Sequence, residues 1–218
     1  MTLGSAAVQL WAGGPYWASM NVGALIPTDY GYYFNWGGTT DVTSTTIDLD
    51  WNSACPYWVS GTKAEDVKFS KYVPTSSSYW GGSGAADNKL QLDFSDDAAR
   101  VHWGGTWRIP SYDEYSKLVS TTYTRKEWVA NYNSTGVSGY IFRGLENTAY
   151  TDNSIFLPAA GYRTGTSLNS QGSDGYYWSL SLYPAYPRSG RRLHFNSGVA
   201  EAGDGQRRNG FSVRPVHD

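Results

Sequence analysis

Five arginines, Arg188, Arg191, Arg192, Arg207 and Arg208, fall within residues 188–208, while every lysine of the chain lies at or before Lys126. A guanidinium presents a planar fork of donors that pairs with carboxylates or phosphates and stacks on aromatic faces, so this enrichment has chemical content. Tyr183 and Tyr186 stand beside these arginines. Tyr and Arg dominate binding hot spots, and solubility alone would also have drawn on lysine. The stretch reads as a recognition surface in which Tyr183 and Tyr186 are aromatic anchors. Arg188, Arg191 and Arg192 would meet carboxylates or other acceptors, and His194 would make binding depend on pH. Ordinary loops whose arginines serve solubility are the competing reading. Nucleic acid is a further rival, since Arg and Tyr also grip phosphates and stack on bases. Glu201, Asp204 and a net charge of -2 count against it, so no nucleic-acid partner is expected.

Other chemistry is sparse. Nucleophilic hydrolysis needs a Ser or Cys beside a His, yet the chain holds only His102, His194 and His217 and has no GxSxG elbow. Cys55 stands alone, which forbids an internal disulfide and a multi-cysteine zinc site; nothing near it in sequence would activate the thiol. Asp48, Asp50 and Asn52 in "DLDWNS" have the spacing that opens a calcium loop. Ser53 then replaces the turn glycine and Val59 the bidentate Glu, so the segment reads as a solvated turn. Gly82 and Gly84 suggest a phosphate cradle whose spacing breaks at Asp87. No catalytic residue, metal or cofactor is expected.

The elements that must position the arginines are short. In "IPSYDEYSKLVS", Ser111 and Glu114 form a capping box and Tyr115, Leu118 and Val119 give an apolar stripe, which predicts a helix. In "DFSDDAARVHWGG", Ser95 is placed to cap a second helix that Gly104 and Gly105 end. Strands are predicted around "YWASMNV", "GYIFRG", "SIFLPAAGY", "GYYWSLSLY", "RRLHFNSG" and "GFSVRPV". In "RRLHFNSG", Leu193 and Phe195 alternate with Arg192, His194 and Asn196, which predicts one buried and one wet face. "LSLYPAYPRSGRR" and "VAEAGDGQRRN" follow no period and read as loops. With 16% aromatic residues to supply a core, the 218 residues read as a single α+β domain of short antiparallel strands, two helices and long loops. No stretch nears the roughly 18 apolar residues of a membrane span, and "MTLGSAAVQL" lacks the pattern of a signal peptide.

The segments "NVGALIPTDYGYYFNWG", "DDAARVHWGGTWRIPSYDEYSKL", "NSIFLPAAGYRTGTSL", "GYYWSLSLY", "LHFNSG" and "NGFSVRPV", in this order, together resemble the Fibrobacter succinogenes major paralogous domain. This is a C-type-lectin-like family common in Bacteroidetes and their phages. The resemblance implies a C-type-lectin-like fold with paired terminal strands, two flanking helices and a ligand surface on the penultimate strands. The C-terminal segment is also similar to the variable region of proteins diversified by retroelements that mutate template adenines, here spanning residues 176–210. AAY codons randomised at adenine can encode Leu, Tyr, Pro, Arg, His and Asp but not Lys, Glu or Gln. Leu180, Leu182, Tyr183, Tyr186, Arg188, Arg191, Arg192, His194, Asp204 and Arg208 fit that set, whereas Glu201 and Gln206 do not. The resemblance thus implies ligand binding at these ten positions and Gln206, and a structural role for Arg207. The implied partner is a protein or glycan on a cell surface, met outside the cell, on a cell surface or from a phage particle. An undiversified glycan-binding or structural surface domain is the alternative. The calcium motifs of lectins and the paired cysteines of formylglycine-generating enzymes, which share the fold class, are absent.

Overall fold

In a computed structural model that describes residues 7–43 and 48–218, the chain is mostly β-sheet with three short helices. The first half holds β1 (Val8–Gln9), β2 (Tyr16–Trp17), β3 (Tyr33–Phe34), α1 (Trp51–Ala54), β4 (Trp58–Ser60), β5 (Lys68–Phe69), α2 (Ala98–Trp103) and α3 (Tyr112–Val119). After it come β6 (Thr124–Val129), β7 (Gly139–Gly144), β8 (Ser154–Pro158), β9 (Tyr162–Thr164) and β10 (Ser167–Asn169). The last quarter holds β11 (Asp174–Leu182), β12 (Ser189–Asn196), β13 (Val199–Gln206), β14 (Phe211–Ser212) and β15 (Val216–His217).

The helices follow their caps. Ser111 Oγ accepts from the Glu114 N–H at 3.2 Å, and Glu114 Oε2 accepts from the Ser111 N–H at 2.7 Å, so α3 starts where the capping box predicts. Tyr115 and Leu118 are fully buried beneath it. The cap of α2 is Asp97, not Ser95, which lies in a 3-10 turn over Phe94–Asp96. Asp97 wins because it binds twice: Oδ1 accepts from Arg100 N–H at 3.0 Å and Oδ2 from Ile109 N–H at 2.8 Å. Gly104, at φ +69°, ends the helix. The third helix, α1, occupies the segment read as a solvated turn, with Asp50 as its N-cap.

The largest sheet runs β13-β12-β11-β14-β3. Its first three strands form a continuous antiparallel meander, with β12 and β13 paired along their whole lengths from Ser189↔Gln206 to Asn196↔Val199. The two segments read as loops are therefore mainly strand. Residues 180–182 extend β11, 189–192 open β12, and 199–206 form β13, leaving 183–188 as the hairpin turn. β13 escapes periodicity because it is an edge strand of small residues. Gly205 lies under the Phe211 ring, where a Cβ would come within 2.6 Å, and Ala200 and Ala202 need only small volumes against the core.

β11 divides two aromatic cores. Tyr177, with Leu193 and Phe195 of β12, faces a cluster that includes Trp17, Tyr115 and Phe142; Trp178, Leu180 and Leu182 face another built on Phe34, Trp36, Tyr72 and Phe211. Between Trp178 and Leu182 the pairing to β12 shifts register, and the β11 amides turn outward: Leu180 N–H donates to Pro110 O and Leu182 N–H to Leu90 O. That bulge ties the sheet to the entry of α3. The chain ends close on each other, since β15 pairs with β2 through Val216↔Trp17 and His217↔Tyr16. Among the described residues no helix is long and apolar enough to cross a membrane.

Candidate recognition surface

The hairpin 183–188 gathers the half-exposed tyrosines. Tyr183 N–H donates to Ser189 O at 3.1 Å and Ser189 N–H to Tyr186 O at 2.8 Å, which locks the turn. The Tyr183 and Tyr186 rings meet edge to face at 5.7 Å, and Tyr186 remains 49% exposed. Arg188 reaches back over Tyr186, its Cζ 5.1 Å from the ring, and donates to Tyr79 Oη at 2.7 Å and to Ala64 O. The turn is thereby anchored to the segment before Trp80.

On β12 the arginines diverge because neighbouring residues point to opposite faces. Arg191 lies on the face of Leu193 and Phe195 and projects past the end of that core toward α3. Its Cζ is 4.1 Å from the Tyr112 ring centroid and 4.1 Å from that of Tyr183. It lines an open cleft of about 360 Å³ with Leu90, Gln91, Ser111, Tyr112, Asp113, Ser181, Leu182 and Pro184.

Arg192 and His194 lie on the opposite face, which is not wet. Only 16% of the Arg192 side chain and 13% of the His194 side chain are exposed. Arg192 packs over Tyr176 with Cζ 5.2 Å from the ring, donates Nε–H to Asp204 O at 2.8 Å, and sits 3.8 Å from Glu201. Burial lowers its pKa, while the nearby Tyr176 and the carboxylates act to raise it. His194 stacks on the same ring at 4.5 Å, with Nε2 3.0 Å from Asp174 Oδ1 and Nδ1 3.5 Å from Glu201 Oε1. Burial alone would raise the Asp174 carboxyl, but hydrogen bonds from His194 and Ser173 hold it below its ordinary value.

The expected ligand set therefore separates. Arg191 lines the cleft with Tyr183 packed against its guanidinium, Tyr186 stands beside Tyr183 in the turn, and Arg188 braces that turn. Arg192 and His194 are drawn into a partly buried network with Tyr176, Asp174 and Asp204 O, in which Arg192 Nη1 and His194 Nδ1 make no hydrogen bond. Arg208 is drawn to α1, where it pairs with Asp50 at 2.6 Å and lies over Trp51, while its Nε–H donates to Gln206. Asp204 is exposed. Leu180 and Leu182, expected among the displayed residues, are both buried in the second core because the bulge keeps them pointing inward, and of Leu182 only an edge reaches the floor of the cleft. Arg207 is fully buried as expected, donating to Lys71 O and Tyr72 O between Trp36 and Phe69. Tyr112, Gln91 and Ser111 escaped the sequence reading because they reach the cleft from distant segments.

The remaining candidates find structural partners. Cys55 is buried and its thiol is pushed up to about 12 by burial, which removes the thiolate at neutral pH. Asp50 caps α1, and among the described residues no group of three or more His, Cys, Asp or Glu side chains could hold a metal. His102 bonds to Thr39 O, and His217 stacks on Tyr16.

A family described as a domain of unknown function (DUF8237) matches this chain over residues 125–216, a stretch that contains the whole β11–β13 meander. No curated protein and no solved structure matches the chain.

Proposed function

We propose that this chain is a recognition module, a C-type-lectin-like scaffold whose C-terminal hairpin presents tyrosine and arginine to a partner on a cell surface. We further read it as a variable protein of the kind diversified by retroelements. The observation that carries the proposal is the hairpin itself: Tyr183, Tyr186, Arg188 and Arg191 cluster at one end of the β11–β13 meander, held by ring contacts and backbone bonds before any ligand arrives. Such preorganisation lowers the entropy lost on binding. Pairing of β2 with β15 and two helices beside the sheet support the fold that the resemblance implies. On this reading the function is binding, carried by side chains of the β11–β12 hairpin.

Sequencing of the gene's last third across a natural population tests this reading. Substitutions concentrated at exposed positions of 183–208, with the buried Leu180, Leu182 and Arg207 fixed, are the expected result. A uniform segment, or changes spread evenly over the chain, overturns diversification. Binding itself is tested by a Tyr183→Ala, Tyr186→Ala double variant, which should lose the partner while keeping its melting temperature.

A further inference from the structure

We propose that the cleft beside Arg191 is a carboxylate slot that takes an Asp or Glu side chain of a protein partner, an inference that rests on the recognition reading above. The Arg191 Cζ lies over two tyrosine rings, Tyr112 and Tyr183, 4.1 Å from each centroid, and these contacts position the guanidinium. Contact with ring faces uses none of its N–H donors in hydrogen bonds, and those donors are the part of a guanidinium that grips a carboxylate with two parallel bonds. Arg191 differs here from its neighbours. Arg188, Arg192 and Arg208 all donate to oxygen acceptors within the chain, whereas Arg191 makes no ion pair and donates no hydrogen bond among the described residues. Asp204 stands across the ladder from it but is exposed and makes no ion pair with it. Asp113, on the cleft wall, is taken by Lys117 at 2.8 Å. The fork is thus preorganised and its acceptor is missing.

The walls indicate which bearer of a carboxylate fits. Ser111, Ser181 and Gln91 supply polar groups inside, while Leu182 and Pro184 make an apolar floor and edge. Leu90, 45% exposed, extends the apolar rim. A volume of about 360 Å³ holds one acidic side chain with its flanking backbone. A sugar ring would need a free aromatic face inside the cleft, where Tyr112 is the one aromatic lining residue and its ring already carries the Arg191 guanidinium. Leu, Pro and Tyr around one half-buried Arg instead match the make-up of a protein hot spot.

The test pans a display library of random peptides against the full chain and measures the Kd of the enriched peptides. Wild type, Arg191→Gln and Arg191→Lys are compared, and each acidic residue of the peptide is also replaced by its amide. The expected result is enrichment of Asp- or Glu-bearing peptides that bind Arg191→Gln about tenfold or more weakly, with Arg191→Lys also impaired because it lacks the fork. The acid-to-amide change in the peptide should cost as much in wild type and almost nothing in Arg191→Gln, the sign of a direct pair. Melting temperatures should fall by no more than about 4 °C. Peptides lacking acids, or binding Arg191→Gln equally well, overturn the slot. If such peptides still need Tyr183 and Tyr186, the recognition surface stands without it. No enrichment of any peptide overturns the slot, and binding of uronate glycans through Arg191 in place of peptides replaces the proposed partner class.

Discussion

Arg191 and Arg192 are neighbours in sequence with opposite fates, and the difference is testable. Arg192 is tied to Asp204 O and Tyr176 in a partly buried network, so Arg192→Ala leaves acceptors unpaired and should destabilise the fold by about 1–3 kcal/mol in a denaturant melt. Tyr186→Ala, at a half-exposed ring, should change stability by less than about 1 kcal/mol. Equal losses at the two sites would mean that the turn is part of the core. Asp174 gives a second residue-scale expectation. Its folded pKa lies below the unfolded value of about 4, so its contribution is present above that pH and is lost as pH falls through the folded pKa. Asp174→Asn should therefore lower stability at pH 6 and flatten the decline of stability below about pH 4. An unchanged acid limb would assign that decline to other carboxylates such as Asp93 and Asp218, also held below their ordinary values by Lys71 and by Arg108.

At the scale of elements, α3 presents Tyr112 to the cleft from its first residue, and its capping box fixes where that residue sits. Ser111→Ala removes one half of the box, which should cost about 1 kcal/mol of stability and loosen the Tyr112 side of the cleft. A thermal melt checks the first part, and a change in Arg191 side-chain resonances checks the second. In β12, Gly190 passes the Trp36 ring so closely that a Cβ would meet Cδ1 at 2.2 Å. Gly190→Ala must push either the strand or the indole, whose Nε1–H is committed to Ser179 O at 2.8 Å. The expected outcome is a loss of about 2 kcal/mol or more, visible as a lowered melting temperature. An unperturbed melt would show that β12 shifts freely, at odds with a rigid display.

At the scale of the whole molecule, pairing of β15 with β2 closes the first core, to which both Trp17 and Val216 belong. β15 pairs with β2, and Arg108 exchanges backbone bonds with Val216 at 2.8 and 2.9 Å. Arg214 is fully buried nearby and donates to Asn21 Oδ1, Ala18 O and Phe156 O, each at 2.9 Å, which joins the N-terminal segment to β8. Burial without a carboxylate lowers its pKa to about 10, yet it remains charged at neutral pH. Truncation after Arg214 deletes β15 and the fully buried Val216, whose burial alone is worth about 1.5–3 kcal/mol. The truncated chain should unfold at markedly lower denaturant concentration, and an unchanged midpoint would mean that closure is dispensable.

The sequence by itself determined the local elements whose causes are local. Ser111 and Glu114 announced α3 because a cap acts over three residues, and the alternation of Leu193 and Phe195 placed them in a core because side chains of a strand alternate. The crowding of Tyr and Arg after residue 180 marked the segment that forms the β11–β12 hairpin and the Arg191 side of the cleft. Only the tertiary structure decided which of those side chains are displayed. β13 is a strand through pairing to β12 and not through any period of its own, Leu180 and Leu182 turn inward at a bulge, and Arg192 is absorbed by Tyr176 and Asp204 O. The Arg191 cleft joins residues from 90, 112 and 183, and contacts between segments so far apart are set by packing alone.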